Sequence, residues 1–112
     1  MYVGRMYTNV TLQAKKRRTF GAFIDTGSGM TILSNAVAEL VGIDTAKPTD
    51  FTDLGRYRRK ICFATVDMHI PGTDCFVEGF RVAVIADGAK DIPGVLIGAD
   101  FLQRTGALRG KL

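Results

Sequence analysis

Long apolar runs are missing from this 112-residue chain. None approaches the roughly 20 consecutive residues that a bilayer-spanning helix needs, so a membrane partner is not expected. The opening stretch "MYVGRMYTNVTLQ" is interrupted by polar and charged residues and does not read as a secretory leader, which makes a cytoplasmic location the expectation. Cysteine is scarce. Cys62 and Cys75 are too few for a disulfide framework and stand in no metal-ligand spacing, so both are expected as reduced thiols in an intracellular compartment. Histidine occurs once, at His69, on a strand-like stretch beside a turn, where a surface role is expected instead of ligation. No metal and no cofactor are expected. Repeats, low-complexity tracts and Ser/Pro-rich linkers are absent too, and the length suits a single domain over residues 1–112.

What is present is an ordinary core composition, 46% hydrophobic, with a modest net charge of +4. Much of that charge sits in two short patches, "KKRR" at Lys15 to Arg18 and "RYRRK" at Arg56 to Lys60. Both fall between strand-like segments, where charged tips are usually solvated, and aromatics are not interleaved with them as base-stacking platforms would be. A nucleic-acid partner is therefore not expected.

Segments rich in Val, Ile, Thr, Phe and Tyr recur between turn signals, which predicts a mainly β domain. Val10–Gln13 and Phe20–Ile24 read as a hairpin closed by the first basic patch, and Met30–Leu33 as a third short strand. In "SNAVAELVG" the period changes: Ser34 is an N-cap candidate, Val37, Leu40 and Val41 share a helical face, and Gly42 suits the stop. From Ile61 to Ile70 alternation returns, with Cys62, Ala64, Val66, Met68 and Ile70 on one face. "PGTD" is a turn that folds Phe76–Ala86 back as the partner strand. "VLIG" is an apolar strand ended by glycine, and "ADFLQRTG" a second short helix stopped at Gly106.

The stretch that carries chemistry is "GAFIDTGSGMTIL", Gly21 to Leu33. An apolar strand ends in a carboxylate, a hydroxyl that can lock a turn, and a glycine free to take unusual backbone angles. As a plain hairpin connection this would be unremarked, since turn chemistry produces such triplets freely. As a catalytic element it is incomplete. Cleaving an amide without a metal or a nucleophile needs one group to take a proton from water and another to give one to the carbonyl. Only one Asp-Thr-Gly is present, so the second acid must come from a second copy across a two-fold axis.

"FIDTGSGMTIL", together with the distal "GVLIGADFLQRTG", resembles the retropepsin family of retroviral-type aspartic proteases, and more closely its cellular or microbial members. The likeness spans nearly the whole chain, pairing Asp25-Thr26-Gly27 with a late apolar strand that ends at Gly98. It implies a closed β-barrel of the acid-protease fold, one lobe per chain, with one or two short helices, in a two-fold homodimer. It also implies an endopeptidase that cuts polypeptides between hydrophobic residues, with catalytic Asp25, Thr26 and Gly27. Two carboxylates about 3 Å apart cannot both ionise, so the Asp25 pair would share a proton and divide the acid and base roles. Thr26 would brace the two loops across the axis. Ser28 would tune the dyad by donating to the outer carboxylate oxygen. By the same matching, substrate would be bound by Phe23, Gly29, Ile32, Pro93, Gly94, Val95 and Leu96. Gly55 would lie near the tip of a flap, the hairpin around "TDLGRYRRKI", whose basic arm would favour acidic residues near the scissile bond. The chain ends, Met1–Met6 and Ala107–Leu112, would weave the dimer.

Two departures from the viral pattern stand out. Many retroviral members brace the active-site loop with an acid two residues after the catalytic glycine and an arginine after the late one; the matching positions here are Gly29 and Ala99. Asp100 is expected to cap the last helix. Competing readings are a catalytically silent dimer of this fold acting as a protein-binding module, a nucleic-acid-binding β domain, and a phosphate loop at "DTGSG". The last lacks a lysine after its glycines and leads into a strand instead of a helix.

Overall fold

The computed structural model describes residues 6–45, 50–54, 57–86 and 94–107, with side chains for all of these except 50–54, 57 and 58. Among the described residues, seven strands and two helices follow in the order β1 (Met6–Gln13), β2 (Arg17–Ile24), β3 (Ile32–Leu33), α1 (Asn35–Leu40), β4 (Asp50–Leu54), β5 (Tyr57–His69), β6 (Phe76–Ile85), β7 (Val95–Ile97) and α2 (Ala99–Thr105). The sheet order is β1-β2-β7-β3-β6-β5-β4, and β1 also pairs with β5. That extra pairing closes six strands into a barrel, leaving β4 as an appendage of β5; closure removes the exposed strand edges that an open sheet would present.

Local chemistry explains the elements. β1 and β2 form a regular antiparallel hairpin from Met6↔Ile24 to Gln13↔Arg17. It is longer than the apolar residues alone predict, because Arg17 and Arg18 keep their charged heads exposed while their backbones complete the ladder. The tip is fastened to the rest of the domain by the Lys16 N–H, which donates to the Val41 carbonyl (3.1 Å). Ser34 caps α1 by accepting from the Val37 N–H (3.2 Å). Both helices stop where the sequence places glycine in the left-handed region, at Gly42 (φ 84°) and Gly106 (φ 73°).

Strand alternation then divides the interior into two clusters. The main core gathers Val10, Leu12, Ala22, Ile24, Leu33, Val66, Met68, Val82, Val84, Val95, Ile97, Phe101 and others. A smaller cluster of Ile32, Ile61, Ala83 and Ile85, with Phe63 and Leu96 packed against it, lies on the opposite side of the same strands. The alternation from Cys62 to Ile70 is borne out, with Cys62, Val66, Met68 and Ile70 all buried. Among the described residues, no helix is long and apolar enough to cross a membrane.

Both cysteines are free and buried in the main core, Cys75 completely. Burial pushes the Cys62 thiol up from its usual value, and the negative charge of Asp44 adds to the effect. The thiolate is the reactive form, so a raised thiol is inert at neutral pH. A colourimetric thiol reagent is expected to label neither cysteine in the native protein and both after denaturation. Fast native labelling of either would contradict this packing.

Candidate functional site

Asp25 follows the last residue of β2, and its position is set by backbone pairing. Its N–H donates to the Ile97 carbonyl (3.0 Å), which prolongs the parallel β2–β7 ladder of Phe23↔Leu96 and Ile24↔Ile97 by one rung. The chain then turns. The Ser28 N–H donates to the Asp25 carbonyl (3.1 Å), and the Gly27 N–H donates to Asp25 Oδ1 (3.0 Å). One carboxylate oxygen is thus held by the loop's own backbone. Asp25 is half-buried, and Thr26 and Gly27 are exposed, so the acid stands at the rim of the barrel.

Behind the loop, the late segment grips it from several directions. The Ala99 N–H donates to the Ser28 carbonyl (2.7 Å). The Gly98 N–H donates to Thr31 Oγ1 (3.1 Å), and a Cβ at Gly98 would fall only 2.5–2.9 Å from the backbone of Met30, so no larger residue fits there without moving the loop. Thr31 is a fully buried polar residue, and Asp100 satisfies it twice: Thr31 Oγ1 donates to Oδ1 (2.7 Å) and the Thr31 N–H to Oδ2 (3.1 Å). Asp100 Oδ1 also accepts from the Phe101 N–H (2.8 Å), inside the first turn of α2.

Asp100 serves the start of its helix as expected, through the Phe101 N–H, and does more besides. The N-cap of α2 is Gly98, and the carboxylate of Asp100 reaches sideways to Thr31 as well as to its own helix. The Thr31–Asp100 pair braces the Asp25 loop where Gly29 and Ala99 offer no ion pair. Thr31 was missed because a threonine inside "MTIL" reads as an ordinary strand residue; its signal is a hydroxyl placed in an apolar run with an acid two residues after the late glycine.

The Ser28 hydroxyl is engaged within the loop itself. It has one proton, which goes to the Met30 carbonyl (2.8 Å), not to Asp25. Its observed contact is therefore loop bracing. Ser28→Ala is expected to cost about 1 kcal/mol of stability, the ordinary worth of one such bond. Any pH profile of activity should stay in place; an acid limb that moved on substitution would restore the tuning role.

The expected substrate-binding residues separate by strand alternation. Phe23, Leu96 and Ile32 are cross-strand partners and so share one face, with Leu96 in the middle of the row. Asp25 lies two residues beyond Phe23 and therefore on that same face. Val95 is excluded from the row: it is fully buried in the main core, on the side opposite Leu96. Gly29 is exposed, with open space where a Cβ would stand, and Gly94 is half-buried, its carbonyl accepting from the Ser34 N–H (2.9 Å). Gly55 and Pro93 lie outside the described residues, as do most of the two chain ends. β4 and β5 pair antiparallel from Asp50↔Ile61 to Leu54↔Tyr57, the two arms of the hairpin expected around "TDLGRYRRKI".

His69 Nε2 lies 2.9 Å from the Thr73 carbonyl, bracing the turn that follows β5. Among the described residues, no group of three or more His, Cys, Asp or Glu could hold a metal ion.

Residues 10–104 match the model of the family described as "gag-polyprotein putative aspartyl protease". A comparison with curated protein sequences gives no match. Among solved structures, the chain is similar to EIAV protease complexed with the inhibitor HBY-793, at TM-score 0.68 and 20% identity, over 92% of this chain and 89% of that one. It is also similar to the retroviral protease-like domain of Ddi1 from Leishmania major (TM-score 0.63, 23% identity, 92% and 78% covered). A retropepsin-like aspartic protease from Rickettsia conorii gives TM-score 0.64 at 20% identity, over 90% of this chain and 71% of that one. At such identities the likeness is one of fold, and the fold is retropepsin-like.

Proposed function

The chain belongs to the gag-polyprotein aspartyl protease family, and from that premise we propose that two copies of it form an aspartic endopeptidase acting on polypeptides. The observation that carries the reading is the Asp25 carboxylate, fixed by the Gly27 N–H at the rim of the barrel and backed by a doubly braced loop. A rigid, partly exposed acid beside an apolar row is what a peptide-cleaving half-site requires.

The chemistry follows from pairing two such acids. One Asp25 carboxylate takes a proton from a water held between the subunits, and the partner's protonated Asp25 gives its proton to the scissile carbonyl oxygen. The water oxygen bonds to the carbonyl carbon to form a tetrahedral diol. Collapse of the diol breaks the C–N bond as a proton passes to the leaving nitrogen. Two like charges held this close share one proton, which keeps one acid and one base available together. Thr26 is exposed in the single chain, and in the pair it would brace the partner's loop. The β4–β5 hairpin is the natural lid, closing over substrate to exclude water. Phe23, Leu96 and Ile32 favour hydrophobic side chains beside the cut bond.

Incubation of the protein with a denatured protein mixture tests the reading. Cleavage next to apolar residues, blocked by a statine-type transition-state analogue, is the expected result. Intact substrates across the acidic and neutral range, or cleavage indifferent to the analogue, would overturn it and favour a binding role for the same fold.

A further inference from the structure

The apolar row that passes Asp25 does not stop at Phe23. Tyr7 is the direct partner of Phe23 in the β1–β2 ladder, and so projects from the same face. The row therefore runs Tyr7, Phe23, Leu96, Ile32, Ala83, Phe63 across six strands, each residue paired with the next. Ile32 and Ala83 are buried in the small cluster, Leu96 and Phe63 are half-buried against it, and Tyr7 at the end is 70% exposed. The Tyr7 ring nevertheless has a fixed place: it lies on Phe23, with ring centroids 4.0 Å apart and planes tilted by 49°.

Spacing relates this aromatic pair to the acid. Two residues along a strand span about 7 Å and the next strand lies about 5 Å away, so the Tyr7 and Asp25 backbones stand about 8 Å apart along one face. An extended peptide covers that distance in two to three residues. A peptide whose amide reaches Asp25 and whose chain runs toward β1 along the row brings a side chain against Phe23 and Tyr7. Tyrosine suits such a position, with an apolar ring to pack and a hydroxyl that can stay wet.

We propose that Tyr7 is a specificity-determining residue, the aromatic wall that together with Phe23 selects a bulky apolar or aromatic substrate side chain near the scissile bond. This rests on the protease reading above. It adds to that reading a particular residue from the first strand and a particular preference.

The test compares matched peptides that differ only in carrying Phe or Ala near the cleaved bond, assayed with the full chain as wild type, Tyr7→Phe and Tyr7→Ala. The kcat/KM ratio of the Phe peptide over the Ala peptide is expected to fall about fivefold in Tyr7→Ala, the range of one aromatic contact, and to be kept in Tyr7→Phe. The fall should appear mainly in KM for the Phe peptide. An unchanged ratio would overturn the proposal. So would an equal loss on both peptides accompanied by weaker self-association in sedimentation, which would make Tyr7 a contact between copies instead. If the wild type cuts neither peptide, the protease reading fails separately. The same labelled peptides are then read by direct binding, where lost preference in Tyr7→Ala still supports the wall and equal binding still overturns it.

Discussion

Asp25→Asn is expected to leave a folded protein that no longer cuts. The structural reason for the first half is specific: Asp25 Oδ1 accepts from the Gly27 N–H, and the amide oxygen of asparagine can accept that bond in the same place. The backbone bonds from Asp25 to Ile97 and from Ser28 to Asp25 do not involve the side chain at all. The unfolding midpoint should accordingly stay close to that of the wild type. Activity should not. Asparagine can neither accept the proton of water nor donate one to the carbonyl oxygen. Since a single positioned acid or base contributes about 10²–10⁴-fold and both copies are replaced together, kcat/KM should fall by at least about 10³-fold. A variant that kept a tenth of the wild-type rate would place the chemistry elsewhere.

The second large effect concerns the brace behind the loop. Asp100→Ala would leave the Thr31 N–H and hydroxyl, both inside a residue with no exposed surface, without their acceptors. Buried donors left unmatched cost about 1–3 kcal/mol each, and the Phe101 N–H loses its charged partner as well. The expected loss is about 3 kcal/mol or more, read as a melting point lower by at least about 10 °C in a domain of this size. Asp100→Asn should fall in between. It keeps one acceptor oxygen where three donors converge, and turns an NH₂ toward one of them. Thr31→Val offers the control, because it removes the hydroxyl while keeping the shape, yet leaves the Gly98 N–H without its acceptor. Since Gly98, Thr31 and Asp100 form one network, the double variant Thr31→Val/Asp100→Ala should cost less than the sum of the singles. Strict additivity would argue that the residues do not act as a unit.

Much of this fold is written in local patterns. The period-2 run is paired with β6 from Cys62 to His69, with one irregularity between Val66 and Met68, and the change of period at Ser34 marks a helix that Ser34 does cap. The "PGTD" turn and the stop at Gly106 follow from residue types whose backbone preferences are strong. The loop motif was legible for a similar reason, since an acid, a hydroxyl residue and a glycine at a strand end are unusual neighbours of a core.

Long-range partnerships were less legible. The Thr31–Asp100 pair joins residues 69 positions apart, and nothing near either one announces the other. Asp100 looks like a helix cap because an acid at a helix start usually is one. The barrel also places the start of α2 directly behind the Asp25 loop. The Ser28 contact was hidden for a related reason: a hydroxyl can bond whichever acceptor the turn supplies, and this turn supplies the Met30 carbonyl. Val95 was counted with Leu96 although adjacent strand residues face opposite ways; here one of them fills the main core and the other joins the apolar row. The reach of that row to Tyr7 depends on the hairpin register, which the basic tip does not reveal.

On the proposed reading, one chain holds half of a catalytic site. Mixing wild-type protein with Asp25→Asn and letting the subunits exchange tests it most directly, with activity followed at constant total concentration. If each active site needs an Asp25 from both copies, activity falls as the square of the wild-type fraction, and an equal mixture retains about a quarter of the full rate. A linear decline, with about half the rate at equal mixing, would mean that a single Asp25 suffices and would contradict the account.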